Sequence, residues 1–223
     1  MTKISEGNFG KLNHLSGHMH RMSAEKMHDL DSPERRKILP PKDLLSLASI
    51  SPNDTVVDVG AGTGYFTLPA AKLTTRKVIA IDVNSKMLEY IQEKAQEQGV
   101  MNLTVMTEMI EAIPLADGMA DVVIASLVLH EVKSLSQALR EIHRILKKDG
   151  RFLCVELEPK QNLMKVPRIS SESMERALNQ EEFRVIKRFF PVESALSEMP
   201  DVALGLTEIG ATLVSGVYEL SRM

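Results

Sequence analysis

The feature that most limits what this chain can fold into is Val56-Val57-Asp58-Val59-Gly60-Ala61-Gly62-Thr63-Gly64, a β-branched run opening into three alternating glycines. A strand ending at Val59 must turn sharply there, and glycine both permits the turn and lets a ligand approach main-chain atoms. Tyr65 to Leu73 then reads as a helix whose first N–H groups face the same ligand. The spacing is G-x-G-x-G, whereas a dinucleotide fingerprint has its third glycine where Tyr65 stands. The loop is therefore expected to hold a nucleoside-type ligand without a pyrophosphate. The plainer alternative is a glycine-rich turn with no ligand.

Around this loop the chain alternates between strand-like and helix-like segments. Ser32-Pro33 looks like a helix start, Leu39-Pro40-Pro41 ends that piece, and Pro41 opens a second helix through Leu44, Leu45, Leu47 and Ala48. Strands are expected at Thr55 to Val59, Val78 to Ile81, Leu103 to Met106, Asp121 to Ala125 and, after the Asp149-Gly150 turn, Phe152 to Glu156. Met87, Leu88, Ile91 and Ala95 recur at helical spacing behind the caps Asn84 and Ser85, with Gly99 just past the end. Ser134 and Gln137 form a capping-box pattern before the stripe Leu135, Ala138, Leu139, Ile142, Ile145 and Leu146. Strand–helix alternation with short turns predicts an α/β fold: a Rossmann-like, doubly wound, mostly parallel sheet with helices on both faces. Its ligand crevice then lies at the carboxyl ends of the strands. Ser170-Ser171 caps a helix through Met174 and Leu178, and Phe183 to Phe190 reads as a sixth strand. Thr207 to Leu220 fits a helix nearly as well as a strand; a strand within Thr212 to Tyr218 is favoured.

With 223 residues the chain is one substantial domain, expected over 31–223, preceded by an unpatterned arm over 1–30. A formal net charge of -3 argues against a protein whose main business is gripping nucleic acid, since phosphate binding rests on Lys and Arg. Cys154 is the only cysteine, so there is no disulfide framework and no cysteine-based zinc site. No apolar stretch has the length of a membrane span, and the polar start lacks a signal-peptide core, which points to the cytoplasm. His14, His18, His20 and His28 crowd the start without a carboxylate frame, so they are read as arm residues and no metal is expected.

The second constraint is Asp82, about twenty residues beyond the glycines at the tip of the neighbouring strand, where a carboxylate can accept from both hydroxyls of a ribose. With DVGAGTGYFTLPAAKL, VIAIDVNSKMLEYIQEKA, ADVVIASLVLHEV and ALREIHRILKKDGRFLCVE, the chain resembles the class I S-adenosylmethionine-dependent methyltransferases over roughly residues 30 to 190. The resemblance is nearest to the small general branch that includes quinone-biosynthesis C-methyltransferase-like proteins. It implies a seven-stranded sheet with an antiparallel last strand, and a lid over the cofactor from Arg21 to Arg36. It also implies that Asp58 and Gly60, Ala61, Gly62 and Gly64 surround the methionine part of S-adenosylmethionine, and that Asp82 with Val83 holds the ribose and adenine edge. Tyr65, Ile110 and Ser126 complete the set expected against the cofactor. One departure stands out: where the family often has an acid for the adenine amino group, this chain has Met109, within Glu108-Met109-Ile110. Glu108 or Glu111 then substitutes, or the main chain alone reads adenine.

His130, in Leu129-His130-Glu131-Val132 after the fourth strand, is expected beside the transferable methyl. Histidine titrates near neutrality and is a natural base, although a histidine that only packs the loop serves proximity catalysis equally well. Glu156 either faces the acceptor or is a solvated strand end. His143 is read as the exposed flank of its helix, and Lys147-Lys148 as that helix's basic end. Tyr65, Phe66 and Phe9 are the aromatics available to an acceptor. The leading expectation is methylation of a small molecule. A non-catalytic S-adenosylmethionine-binding module is the alternative, and a nicotinamide oxidoreductase is disfavoured by Tyr65.

Overall fold

A computed structural model describes residue 36 and residues 40–158, 168–189 and 212–220. The arm, its histidines, Phe9 and the lid segment before Arg36 lie outside the described residues. Five strands form a parallel sheet: β1 (Val56–Val59), β2 (Val78–Asp82), β3 (Leu103–Thr107), β4 (Ala120–Ser126) and β5 (Leu146–Glu158), in the order β3-β2-β1-β4-β5. The helices are α1 (Pro41–Leu47), α2 (Thr67–Ala71), α3 (Ser85–Glu97), α4 (Leu135–Ile145) and α5 (Ser171–Gln180). A further strand, β6 (Phe183–Phe189), comes after α5.

Side chains alternate across a strand, and here both faces are buried. Val57, Val59, Ile79, Ile81, Val123 and Phe152 pack under Leu139, Ile142 and Ile145 of α4. Val56, Val78, Val122, Ile124, Leu153 and Val155 pack against Leu44 and Leu45 of α1 and against Phe66. Ala80 meets Leu88 and Ile91 of α3. Each such fully buried aliphatic side chain contributes about 1.5–3 kcal/mol, so it is this two-sided burial that sets the sheet's position. The helix starts are as expected. Asn84 accepts from the Lys86 N–H (3.1 Å), Ser134 from Gln137 (3.3 Å) and Ser170 from Ser173 (3.2 Å). Gln137 does not complete the capping box, because its side chain donates instead to the Glu111 carbonyl (3.1 Å).

Three expectations are corrected. The helix after the glycines spans only Thr67–Ala71, not Tyr65 to Leu73: Pro69 has no N–H to bond the Tyr65 carbonyl, so the turn held by the Leu68 N–H on the Gly64 carbonyl (3.0 Å) is not continuous with the helix. The main chain facing the crevice is therefore the glycine loop itself, not the start of a helix. Strand β5 begins at Leu146, where the backbone turns extended (φ -71°, ψ 142°), and its pairing with β4 slips between Ala120 and Val122. Lys147 consequently lies in a strand, and its ammonium pairs with Asp121 (2.7 Å). His143 is half-buried rather than exposed, its ring edge-on to Phe183 at 5.6 Å.

Candidate active site

The strand order reverses direction between β1 and β4, and the site is built on the carboxyl ends that meet there. The pair Val59–Ala125 is the last in register, so Gly60 and Ser126 stand side by side just beyond it. Gly60 takes φ 68°, and a Cβ there would come within 2.3 Å of Val128 Cγ2. The segment after β4 thus lies directly on the glycine loop. Gly62 (φ 54°) is different: a Cβ would meet nothing within 4 Å, so its main chain borders open space.

Asp82, ending β2, closes this loop. Its Oδ2 accepts from the Gly62 N–H (2.8 Å) and its Oδ1 from the Asn84 N–H (2.9 Å). A carboxylate has about four lone-pair positions, so each oxygen keeps acceptor capacity while the two bonds fix its plane. Val83 and Met109, at the tips of β2 and β3, are 50% and 46% exposed. The Glu108 N–H donates to the Asp82 carbonyl (3.2 Å), which keeps these tips adjacent. Glu111 is committed elsewhere: its carboxylate accepts from the Lys133 N–H at 2.7 Å.

Asp58 is the buried acid of the site. It accepts from the Thr67 hydroxyl (2.5 Å) on the α2 side of the sheet. Burial raises its carboxyl from an ordinary 3.8 to about 7; the Thr67 hydroxyl opposes this and the negative charge of Asp82 adds to it. Two carboxylates so placed favour a cation between them. Ser126 supplies a further signal, since its Oγ is buried with no hydrogen-bond partner. A buried hydroxyl without a partner costs free energy unless something fills its bond. Ala61 and Gly64 are buried within the loop, whereas Tyr65 and Ile110 belong to the core: Tyr65 stacks edge-on with Phe66 (5.3 Å) beneath the Arg36 guanidinium, and Ile110 packs with the α4 cluster.

Beyond Ser126 the chain enters the left-handed region at Leu127 (φ 55°), a strained conformation for leucine. Glu156, 3% exposed, holds the next three residues. Its Oε1 accepts from the N–H groups of Val128 (3.1 Å) and Leu129 (2.8 Å), and its Oε2 lies 2.7 Å from His130 Nδ1. Of the two readings of Glu156, solvated strand end is excluded. Nearby, the Cys154 thiol is pushed well up by burial and by the charge of Glu156, so it is no nucleophile. Burial also lowers the Arg168 guanidinium, against the opposing fields of Glu156 and Glu131, and its Nε is buried without a partner. The structure thus gathers Asp58, the glycines, Asp82, Val83, Met109, Ser126 and His130 at one sheet end. Glu156, read from the sequence as facing the acceptor or solvated, joins them, and so do Thr67, Val128 and Arg168, which sequence reasoning did not single out.

Residues 57–154 match the model of the methyltransferase domain family. Over those residues, a little under half of the chain, it resembles the class I S-adenosylmethionine-dependent methyltransferases. The uncharacterized methyltransferase YcgJ of Bacillus subtilis is 32% identical over 113 residues, covering 51% of this chain and 44% of that protein. The ubiquinone/menaquinone biosynthesis C-methyltransferase UbiE of Escherichia coli is 33% identical over 115 residues, covering 50% and 46% respectively. The chain therefore spans about half the length of these curated relatives. The crystal structure of a SAM-dependent methyltransferase from Aquifex aeolicus superposes with a TM-score of 0.72 at 22% identity, over 88% of this chain and 98% of that one, and shares the fold. S-adenosylmethionine is the cofactor of such a methyltransferase domain. No helix among the described residues is long and apolar enough to cross a membrane.

Proposed function

We propose that this chain transfers a methyl group from S-adenosylmethionine to a small-molecule acceptor, with the cofactor along the ends of β3, β2, β1 and β4. The observation that carries the reading is the Asp82 carboxylate tied to the Gly62 N–H and still able to accept two ribose hydroxyls. Three further features fit the same ligand. The partnerless Ser126 hydroxyl and the open face of Gly62 border the place of its methionine part, and Asp58 with Asp82 favours its positive charge. The exposed Val83 and Met109 suit the two faces of an adenine, which leaves main-chain groups, rather than an acid after β3, to read its edge. Ala61 and Gly64 shape the loop, and Tyr65 and Ile110 support it from the core.

S-adenosylmethionine supplies an electrophilic methyl on a sulfonium; the protein's task is to orient an acceptor in line with it and keep water out. The residues after β4 are suited to that task because Val128 rests on Gly60, so any acceptor beside His130 is also beside the cofactor loop. The likeness to UbiE, over half its length, makes quinone-type rings a first choice among acceptors. The sheet, on this reading, is completed to seven strands by β7 (Thr212–Leu220) running antiparallel to β5 and β6. The supporting register sets Cys154 against Gly216 and Arg184 against Glu219.

The experiment is titration calorimetry with S-adenosylmethionine, then detection of S-adenosylhomocysteine across an acceptor panel. Saturable binding with turnover is expected. Binding with no turnover on any acceptor would favour a cofactor-binding module, and no heat and no melting shift would end the proposal.

A further inference from the structure

Glu156 and His130 form a buried pair that transfer by proximity alone does not require. The His130 side chain is 5% exposed and that of Glu156 4%. Glu156 Oε1 already accepts two main-chain N–H bonds, so Oε2 is fixed in direction, and at 2.7 Å from Nδ1 it demands a proton on that nitrogen. Among the described residues Nε2 makes no such bond: the exposed Glu131 carboxylate lies 3.7 Å away, too long for a hydrogen bond.

We infer that Glu156 is a positioning residue that holds His130 in its Nδ1-protonated form and so presents Nε2 as a base toward an acceptor bearing a weakly acidic hydroxyl, a phenol or an enol. This rests on the methyltransferase reading and adds the class of acceptor. The charged and titratable groups facing the pair suit it. Glu156 and Glu131 lie at the ring's two nitrogens, Cys154 stays a neutral thiol, and Arg168 is the nearby cation. With His130 neutral the cluster has two carboxylates against one guanidinium, and an imidazolium would balance it. In the reaction, Nε2 takes the hydroxyl proton as the acceptor's electron pair bonds to the methyl carbon. The carbon–sulfur bond breaks with its electrons going to sulfur, and the imidazolium later returns its proton to water. An amine gains less from such a base, because its neutral form is already the nucleophile, and the half-buried Arg168, its Nε unpaired among the described residues, suits the negative charge an ionising ring develops.

Glu156→Gln makes the test unusually direct. The two main-chain N–H groups select the carbonyl oxygen of the new amide, so its NH2 faces Nδ1 and donates. Nδ1 must then accept, and the ring's proton moves to Nε2, which abolishes the base while preserving the loop. Nitrogen-15 NMR of histidine-labelled full-length protein, with and without S-adenosylhomocysteine, reads this; Glu156→Gln and His130→Gln assign the signal. Expected in the wild type at pH 8 is a protonated Nδ1 with a bare Nε2, reversed in Glu156→Gln. Phenols and enols should be methylated faster than amines, with an acidic limb in the wild-type pH profile. In Glu156→Gln, kcat should fall by roughly 100-fold or more and calorimetric cofactor affinity should be unchanged. The inference is overturned by a bare Nδ1 or an imidazolium in the wild type, which needs no variant to fold. It is equally overturned by an unreversed ring in folded Glu156→Gln, or by phenols and enols reacting no faster than amines. Loss of cofactor binding in the wild type would instead sink the methyltransferase reading, whatever the tautomer.

Discussion

Replacing Asp58 by Asn should stabilise the ligand-free protein, and by an amount that depends on pH in a defined way. The side chain is 2% exposed and its carboxyl is raised from 3.8 to about 7, chiefly by burial. Below pH 4 the group is protonated in both folded and unfolded chains and contributes nothing. As pH rises through 4 the unfolded chain ionises first and is favoured, and folding keeps losing stability until the native carboxyl ionises near 7. The gap between those two values, at about 1.4 kcal/mol per pH unit, comes to about 4 kcal/mol. The amide of Asp58→Asn keeps an acceptor for the Thr67 hydroxyl but has no charge to bury, so the variant escapes the whole loss. About 1 kcal/mol of this is already lost by pH 4.5, so with a urea m-value of about 2.5 kcal/mol/M its midpoint advantage over the wild type should grow by about 1.3 M between pH 4.5 and 8. Urea unfolding monitored by circular dichroism at half-unit pH steps measures this. A midpoint difference that stays constant across that range would show that Asp58 ionises in the folded protein as it does in water, and the account of a cation-seeking buried acid would be wrong.

The same acid couples to the cofactor. A cation beside Asp58 favours its ionised form, so S-adenosylmethionine binding at pH 7 should release roughly half a proton, seen as a buffer-dependent calorimetric heat that Asp58→Asn abolishes. Asp82→Ala should weaken cofactor affinity by about 100-fold or more, since two hydrogen bonds to a charged group are worth about 3 kcal/mol at the least. Glu111→Ala, whose carboxylate is spent on Lys133, should change it far less, and the reverse order in a titration would refute the ribose assignment. Gly62→Ala should cost about 1–2 kcal/mol for its left-handed backbone, whereas Gly60→Ala adds a collision with Val128 and should cost about 2–5 kcal/mol, both read from denaturant midpoints.

The glycine loop and Asp82 were legible in the sequence because strand, turn and acid sit at a spacing that only one arrangement satisfies. The helix stripes were legible for the same reason, and Asn84, Ser134 and Ser170 cap where their chemistry says they should. The short α2 was not. Its start is set by Pro69, whose missing N–H interrupts the first turn without disturbing the apolar pattern that runs on from Tyr65. Nor was the start of β5, where extended backbone at Leu146 outweighs a helical pattern that continues through that residue. Glu156 was ambiguous for a deeper reason. A carboxylate at a strand end is solvated or buried according to what the neighbouring strand does after it ends, and no local pattern encodes that.

The two halves of the site are mechanically one. Val128 fills the space a side chain on Gly60 would need, and Glu156 holds Val128 and Leu129 by their N–H groups while orienting His130. A change that lifts the segment after β4 must therefore disturb cofactor loop and base together, whereas a change confined to Asp82 should leave His130 in place. That asymmetry comes from packing, since a close-packed contact transmits displacement and a solvent-facing carboxylate does not. Gly60→Ala should accordingly broaden or shift the His130 imidazole signal, and Asp82→Ala should leave it where it is. An unmoved His130 in Gly60→Ala would mean that the contact with Val128 yields locally and that the two halves act independently.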